Sequence, residues 1–187
     1  MMKTSIALAA VALSARASNV SRVQRVCPQK DWENNYFPRR MRFYTYAGFI
    51  EALSSYPDVC SGTDNQCKLE LAALFANMAQ ETGDGRWDGG LQHMSEWSCT
   101  RSGHNMDVCE EHYNHEDANY PPAEGEVYYG RGPLQISHNY NYGRFGSKYL
   151  TDPDRVFDND SVDAFESALW FWTQTDGNKP SMHSVAS

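Results

Sequence analysis

The segment from Lys68 to Gln80 constrains the fold most, because it predicts a helix with no broad polar face. Leu71, Phe75 and Met78 recur at three- and four-residue spacing along one side of this helix. A second side carries further small or apolar residues, namely Leu69, Ala72, Ala73 and Ala76. A helix that is apolar over most of its circumference has to be surrounded by protein. We therefore expect this segment to be the buried central helix of one domain.

Two further helices are indicated by a capping residue and by apolar periodicity. Thr45 can cap a helix whose buried stripe is formed by Tyr46, Phe49, Ile50 and Leu53. Another helix begins near Asp160 or Ser161, and its stripe is formed by Val162, Phe165, Leu169 and Trp172. The strand signal is limited to short pieces such as residues 125–129. The predicted fold class is therefore mainly α with at most a small β element, and no repeat or linker divides it.

Residues 1–17 have the pattern of a secretory signal peptide. A basic start at Lys3 and a small, apolar run over residues 5–13 are followed by the cleavage tripeptide Ala15-Arg16-Ala17. Cleavage after this tripeptide would leave residues 18–187 as one domain, which is long enough for a sizeable core. No other stretch approaches the ~20 apolar residues that a membrane span needs. We therefore expect a secreted, extracellular protein without a membrane partner.

The chain is acidic, with 24 Asp and Glu residues against 16 Lys and Arg residues and a net charge of −8. Removal of the signal peptide would take away Lys3 and Arg16 and leave 14 basic residues, for a net charge of −10. Such a charge makes nucleic acid an unexpected partner, whereas a neutral polysaccharide places no constraint on its sign. We expect a monomer.

The five cysteines of a secreted chain are expected to form disulfides. The local pairs Cys60 with Cys67 and Cys99 with Cys109 would leave Cys27 alone. A long-range bridge from Cys27 to Cys99 is equally compatible with the sequence. Because the number is odd, one thiol is free, intermolecular or without its partner.

Residues 128–143 read YYGRGPLQISHNYNYG and combine four tyrosines with a series of amide and hydroxyl side chains. A pyranose ring has an apolar face that packs on aromatic rings and a rim of hydroxyls that requires fixed donors and acceptors. Gly130, Gly132 and Pro133 can bend the backbone and direct the polar side chains into one cleft. The polar residues concerned are Gln135, Ser137, Asn139, Tyr140 and Asn141. The segment therefore suits a sugar polymer.

This segment, together with AQETGDG at residues 79–85 and KPSMH at residues 179–183, closely resembles the family 19 chitinases. The resemblance runs from roughly Phe43 to Val185. It implies a lysozyme-like, two-lobed helical fold with a deep cleft, and endo-cleavage of β-1,4 bonds in chitin without a cofactor or a metal. Family 19 domains normally continue beyond the KPSMH-like segment with a further helix and a functional arginine. We therefore expect the C-terminal part of the domain to be missing here.

Glu81 is the predicted acid catalyst of glycoside hydrolysis, which requires a proton donor and a second carboxyl group on the opposite face of the sugar. It lies where the buried helix ends, so the helix dipole and apolar neighbours such as Met78 disfavour its ionised form. A raised pKa would keep its proton available near neutral pH. Without the resemblance, Glu81 would read as a solvent-facing residue at a helix end. The family usually has His where this chain has Gln80.

Glu96 is the predicted base, because the family places a second glutamate in a downstream loop. Leu91, Met94 and Trp97 surround it in the sequence and can anchor that loop. Other acidic residues remain alternatives, namely Asp84, Asp88, Glu110, Glu111 and Glu116. Since family 19 enzymes invert the anomeric configuration, the resemblance implies that Glu96 activates water, with the two carboxyl groups roughly 6.5–9.5 Å apart.

The resemblance also assigns roles to side chains outside the carboxylate pair. Ser137 would help to hold the attacking water, and the predicted substrate-binding residues are Gln135, Tyr140, Asn141, Tyr129 and Lys179. In the family, the lysine that matches Lys179 joins an ionic network near the acid. Arg131, between two glycines, is expected to bind backbone carbonyls and shape the turn.

Three other interpretations compete with an active chitinase. The spacing of Cys99, His104, Cys109, His112 and His115 could suit zinc, although disulfide pairing explains the cysteines better. A lectin-like protein could keep the aromatic groove and lack turnover. A relative could also cleave peptidoglycan, whose backbone contains N-acetylglucosamine.

The sequons at Asn19 and Asn159 could carry N-glycans.

Overall fold

The computed structural model describes residues 18–83, 89–102 and 105–187. Helix α1 covers residues 18–26, and a helical turn at Gln29–Asp31 continues into a π-helical turn at Trp32–Tyr36. The remaining helices are α2 (Tyr46–Ser54), α3 (Asp64–Thr82), α4 (Trp97–Thr100), α5 (Met106–Tyr113), α6 (Asn139–Phe145), α7 (Ser147–Thr151), α8 (Val162–Thr173) and α9 (Met182–Ala186), with a 3₁₀ turn at Pro153–Phe157. The predicted signal peptide lies outside the described residues. In the part of the chain that is described, no helix is long and apolar enough to span a membrane.

Helix α3 is the predicted central helix, and it begins four residues earlier than expected. Thr63 accepts a hydrogen bond from the backbone N–H of Gln66, whose side chain binds back to Thr63, so a capping box starts the helix. One stripe of α3 is buried, formed by Leu71, Leu74, Phe75 and Met78. The expectation of burial on most sides is wrong, since Leu69 is 67 % exposed and Ala72 and Ala76 face solvent. Alanine adds so little apolar area that it does not by itself identify a buried face.

Helices α2 and α8 pack together beside α3 and build an aromatic core. Thr45 caps α2 as predicted, accepting the backbone N–H of Gly48 at 3.0 Å. The ring centroid of Phe165 on α8 lies 5.5 Å from that of Phe49 on α2 and 6.2 Å from that of Trp32. These side chains are fully buried, so the predicted stripes of both helices form the centre of the domain.

Helix α9 is joined to α3 and α8 through Glu70, a glutamate that is only 1 % exposed. Its Oε2 accepts the backbone N–H of Cys60 at 2.8 Å, and its Oε1 accepts Nε1–H of Trp172 at 3.2 Å. Nδ1 of His183, on α9, lies 2.5 Å from the same Oε1. One carboxylate therefore connects three distant segments of the chain.

The weak strand signal at residues 125–129 does not correspond to a strand, because these residues form none. Side chains satisfy their backbone groups instead: Asn114 Oδ1 accepts the N–H of Tyr128, and Arg131 donates to the carbonyls of Val127 and Tyr129. The β structure of the described residues consists of isolated bridges, which join Ser95 with Arg131, Arg131 with Ile136, and Asp176 with Lys179.

The disulfides join cysteines that are close in sequence, which is the first of the two predicted pairings. Cys60 is bonded to Cys67 and Cys99 to Cys109, so the alternative bridge from Cys27 to Cys99 is wrong. The thiol of Cys27 is free and buried.

Candidate active site

Glu81 and Glu96 lie on the walls of the same open cleft, which has a volume of about 260 Å³. The other residues that line it are Gly83, His93, Ser95, Trp97 and Gln135. The cleft thus brings together both predicted carboxylates and one side chain of the 128–143 segment.

The end of α3 fixes the position of Glu81. The next residue, Thr82, is fully buried; its Oγ1 accepts the N–H of Leu91 at 2.7 Å and its carbonyl accepts the N–H of Gln92 at 3.0 Å. The chain that leads to Glu96 is therefore folded back against the helix end. Glu81 itself reaches solvent, and desolvation by its surroundings raises the pKa of its carboxyl group.

Glu96 caps the short helix α4. Its Oε1 accepts hydrogen bonds from the backbone N–H of Ser98 at 2.9 Å and from the Ser98 hydroxyl at 2.7 Å. The backbone of this loop is tied to the 128–143 segment, because the N–H of Glu96 donates to Gly130 O at 2.8 Å and that of Gly132 to Met94 O at 2.8 Å. The glycine turn of the segment thereby supports the second carboxylate.

Arg131 shapes this turn as predicted. The side chain is buried, and its Nη1 donates to the carbonyls of Val127 at 3.0 Å and Tyr129 at 3.2 Å. Nη1 also donates to the hydroxyl of Tyr142, and Nε donates to Asp154 at 2.8 Å. Its guanidinium lies 3.8 Å from the ring centroid of Tyr129, so one face of that ring is used within the protein.

The predicted substrate-binding residues do not share one cleft. Gln135, in a left-handed conformation with φ 48°, lies in the carboxylate cleft, where its Nε2 donates to Gly132 O at 2.8 Å. Tyr140 and Asn141 instead line a second depression of about 230 Å³ together with Trp170. Its further lining residues are Arg144, Phe171, Gln174, Thr175 and Asp176.

Two more predicted residues lie outside the lining of the carboxylate cleft. Ser137 is partly exposed, and its carbonyl accepts Nδ2 of Asn141 at 2.9 Å. Lys179 is 82 % exposed, and its Nζ lies 4.0 Å from Asp176, so its described ionic contact is not with Glu81.

The three alternative bases that lie in the described part of the chain do not share the cleft with Glu81. Glu110, Glu111 and Glu116 are exposed and do not line the cleft, whereas Asp84 and Asp88 lie outside the described residues. A wider depression of about 770 Å³ contains acidic residues, namely Glu51, Asp158 and Asp160, but no residue of the 128–143 segment. The cleft of Glu81 and Glu96 is therefore the candidate active site.

Cys99 and Cys109 are bonded to each other in a disulfide, so they do not provide the thiolates that the zinc alternative requires. His104 lies outside the described residues, and the rest of the described chain holds no group of three or more His, Cys, Asp or Glu side chains placed to hold a metal ion.

The sequence interpretation missed one feature of the cleft. Leu91 is buried and Met94 packs against the core, so both anchor the loop of Glu96 as expected. Trp97 does not: it is 59 % exposed and lines the cleft. The sequence signal that could have indicated this location is that Trp97 directly follows the predicted base, Glu96.

A helical domain with two carboxyl groups on one open cleft is characteristic of the lysozyme-like glycoside hydrolases. The family described as "Chitinase class I" matches residues 29–187. The chain belongs to this family, glycoside hydrolase family 19, and has its mainly helical, lysozyme-like fold as predicted.

Individual proteins agree with this assignment. The chain is 39 % identical to "Endochitinase CH25" of Brassica napus, over 89 % of this chain and 52 % of the relative. It is 40 % identical to "Basic endochitinase B" of Arabidopsis thaliana, over 76 % of this chain and 43 % of the relative. It thus spans about half the length of these curated relatives. Among solved structures, chitinase C from Streptomyces griseus HUT6037 superposes with a TM-score of 0.70 at 32 % identity, covering 86 % of this chain and 73 % of the other. A bacterial family 19 chitinase superposes with a TM-score of 0.68 at 36 % identity, covering 86 % of this chain and 74 % of the other.

Proposed function

We propose that this chain is a secreted, monomeric endochitinase that cleaves β-1,4 bonds between N-acetylglucosamine units with inversion of configuration. The observation that carries the proposal is the placement of Glu81 and Glu96 on one open cleft. Family membership and the names of the endochitinase relatives support chitin as the substrate. Residues 18–187 would form the catalytic domain.

In this mechanism Glu81 is the general acid. Its raised pKa keeps the carboxyl protonated at a pH where an ordinary glutamate is ionised. It donates its proton to the glycosidic oxygen as the bond from that oxygen to C1 breaks, so the leaving sugar departs with a hydroxyl group.

Glu96 is the general base on the opposite face of the sugar. It takes a proton from water while the water oxygen forms the new bond to C1, which inverts the anomeric configuration. The hydrogen bonds from Ser98 hold this carboxylate in one orientation. Ser137 would help to hold the water.

Substrate contacts are assigned by motif and by location. Gln135 would bind the sugar at the cleavage point, since it shares the cleft with both carboxylates. Tyr140 and Asn141 would bind units farther along the polymer, in the second depression. Tyr129 and Lys179 complete the proposed substrate-binding set.

The test is hydrolysis of chitohexaose and colloidal chitin by the wild-type chain, Glu81→Gln and Glu96→Gln. Each substitution should lower kcat by about 10²–10⁴-fold, the range of one general acid or base. Glu110→Gln, which changes an exposed carboxylate outside the cleft, should keep full activity. The first products of the wild-type chain should be α anomers, and β anomers would contradict the inverting mechanism.

Two other outcomes would replace the proposal. Retention of chitin without release of oligosaccharides, unchanged by Glu81→Gln, would indicate a lectin-like protein. Cleavage of bacterial cell walls but not of chitin would indicate a peptidoglycan hydrolase.

A further inference from the structure

We infer that Trp97 is a sugar-stacking platform that binds an N-acetylglucosamine ring next to Glu96 and so contributes to substrate selection. The inference rests on the proposed function and adds a binding residue to it. Its starting point is an indole ring that is 59 % exposed in the wall of the cleft that contains Glu81 and Glu96. Tryptophan is enriched among the residues that contribute most of the binding energy at interaction sites.

Trp97 is not part of either apolar cluster that the described residues form. It belongs neither to the main core nor to the small apolar cluster around Cys99, Cys109 and Val127. Leu91 and Met94 already anchor the loop on the core. Retaining an exposed indole at this position therefore has no packing explanation among the described residues.

The indole is mounted on a rigid support. Trp97 is the first residue of α4, whose cap is the Glu96 side chain. The backbone N–H of Cys99 and the hydroxyl of Thr100 both donate to Glu96 O, at 3.1 and 3.0 Å. Cys99 is also joined to Cys109 by a disulfide. A platform built on this turn keeps a fixed position relative to the base, which reduces the entropy cost of binding.

Arg101 orients the ring. Its guanidinium carbon lies 4.5 Å from the indole centroid, a cation–π contact that covers one face. A ligand would stack on the opposite face. A β-linked N-acetylglucosamine ring carries its substituents around its rim and presents C–H groups on its faces, which suits stacking on an aromatic ring.

Binding is measured in the Glu81→Gln background, where the expected loss of turnover slows the consumption of chitohexaose. Isothermal titration calorimetry should give a dissociation constant on the order of tenfold higher after Trp97→Ala, and within about threefold of the parent after Trp97→Phe. Leu69→Ala, a matched loss of an exposed apolar side chain on the outer face of α3, should leave the constant unchanged. In the active chain, Trp97→Ala should raise KM with little change in kcat.

Fluorescence gives an independent readout. Chitohexaose should shift the tryptophan emission of Glu81→Gln to shorter wavelength, and Trp97→Phe or Trp97→Ala in that background should reduce but not abolish the shift, because Trp170 in the second depression also responds to the bound sugar. Circular dichroism and the melting temperature establish that each variant is folded.

The outcomes separate this inference from the proposed function. Unchanged affinity and an unchanged emission shift in Trp97→Ala would overturn the platform and leave the chitinase proposal intact. Absence of chitohexaose binding in the Glu81→Gln parent itself would overturn the proposed function, and the platform with it.

Discussion

Replacement of Glu70 by glutamine should destabilise the fold by about 2–4 kcal/mol, because its buried carboxylate accepts hydrogen bonds from separate segments. The carboxylate accepts the backbone N–H of Cys60 through Oε2 and Nε1–H of Trp172 through Oε1, where Nδ1 of His183 also lies within 2.5 Å. Glutamine has nearly the same shape and a similar helix propensity, so the change tests the acceptor pattern and not packing.

The magnitude follows from the number of acceptors. Glutamine keeps one oxygen and places an NH₂ group at the other position, so either Cys60 or Trp172 faces a donor instead of an acceptor. One buried donor without an acceptor costs about 1–3 kcal/mol. The surviving hydrogen bond is no longer charge-assisted and weakens by roughly 1 kcal/mol. These two losses together give the stated range, and relief of the desolvation of a buried charge places the expected value toward its lower end.

Urea denaturation, followed by tryptophan fluorescence and far-UV circular dichroism, measures the free energy of unfolding. Glu51→Gln, an exposed glutamate on α2, is the control and should change it by less than about 0.5 kcal/mol. A double-mutant cycle with His183→Ala should give a coupling energy of at least about 0.5 kcal/mol. A loss below about 0.5 kcal/mol in Glu70→Gln would refute the role of this carboxylate as the connection between α3, α8 and α9.

Two further predictions concern ionisation. The alkaline limb of the pH profile of kcat/KM should have its midpoint above about 4.3, the usual glutamate value, because desolvation raises the pKa of Glu81 in the ligand-free chain and activity is lost when this acid gives up its proton. A midpoint at or below that value would contradict the assignment. The thiol of Cys27 should not react with a thiol reagent at pH 8 in the native protein and should react as one thiol after denaturation. The reason is that burial, with a smaller contribution from Asp31, raises its pKa to about 12. Fast reaction of the folded protein would show that Cys27 is accessible to solvent.

Apolar periodicity predicted the helices but not every face of them. The stripe of Phe165 and Trp172 could be read from the sequence, because large side chains at helical spacing have few places other than a core. The face of Leu69 was misjudged, since its alanine neighbours are compatible with burial or with solvent. The strand at residues 125–129 failed for another reason: a distant side chain, Asn114, takes the place of a neighbouring strand.

The chemistry of the candidate site could be proposed from residue types and motifs, whereas its layout depends on tertiary contacts. The sequence indicated Glu81 and Glu96 and could not show that the loop between them folds onto the end of α3. For the same reason, Tyr140 could be proposed as a sugar contact from the sequence, but its location in a separate depression could not be predicted. Trp97 read as a loop anchor because apolar residues near a functional loop usually pack inward.

The two carboxyl groups stand on different supports, and this arrangement governs how the site responds to change. Glu81 is fixed by α3, whose inner face belongs to the main core. Glu96 is fixed by backbone hydrogen bonds to Gly130 and Gly132, in a turn that the buried guanidinium of Arg131 holds together. We predict that disturbing that turn shifts Glu96, the proposed base, and also loosens the main core, because Leu134 and Ile136 of the same segment are buried in it. Since the proposed catalysis depends on the separation of the two carboxyl groups, this turn would couple activity to the packing of the core around Leu134 and Ile136.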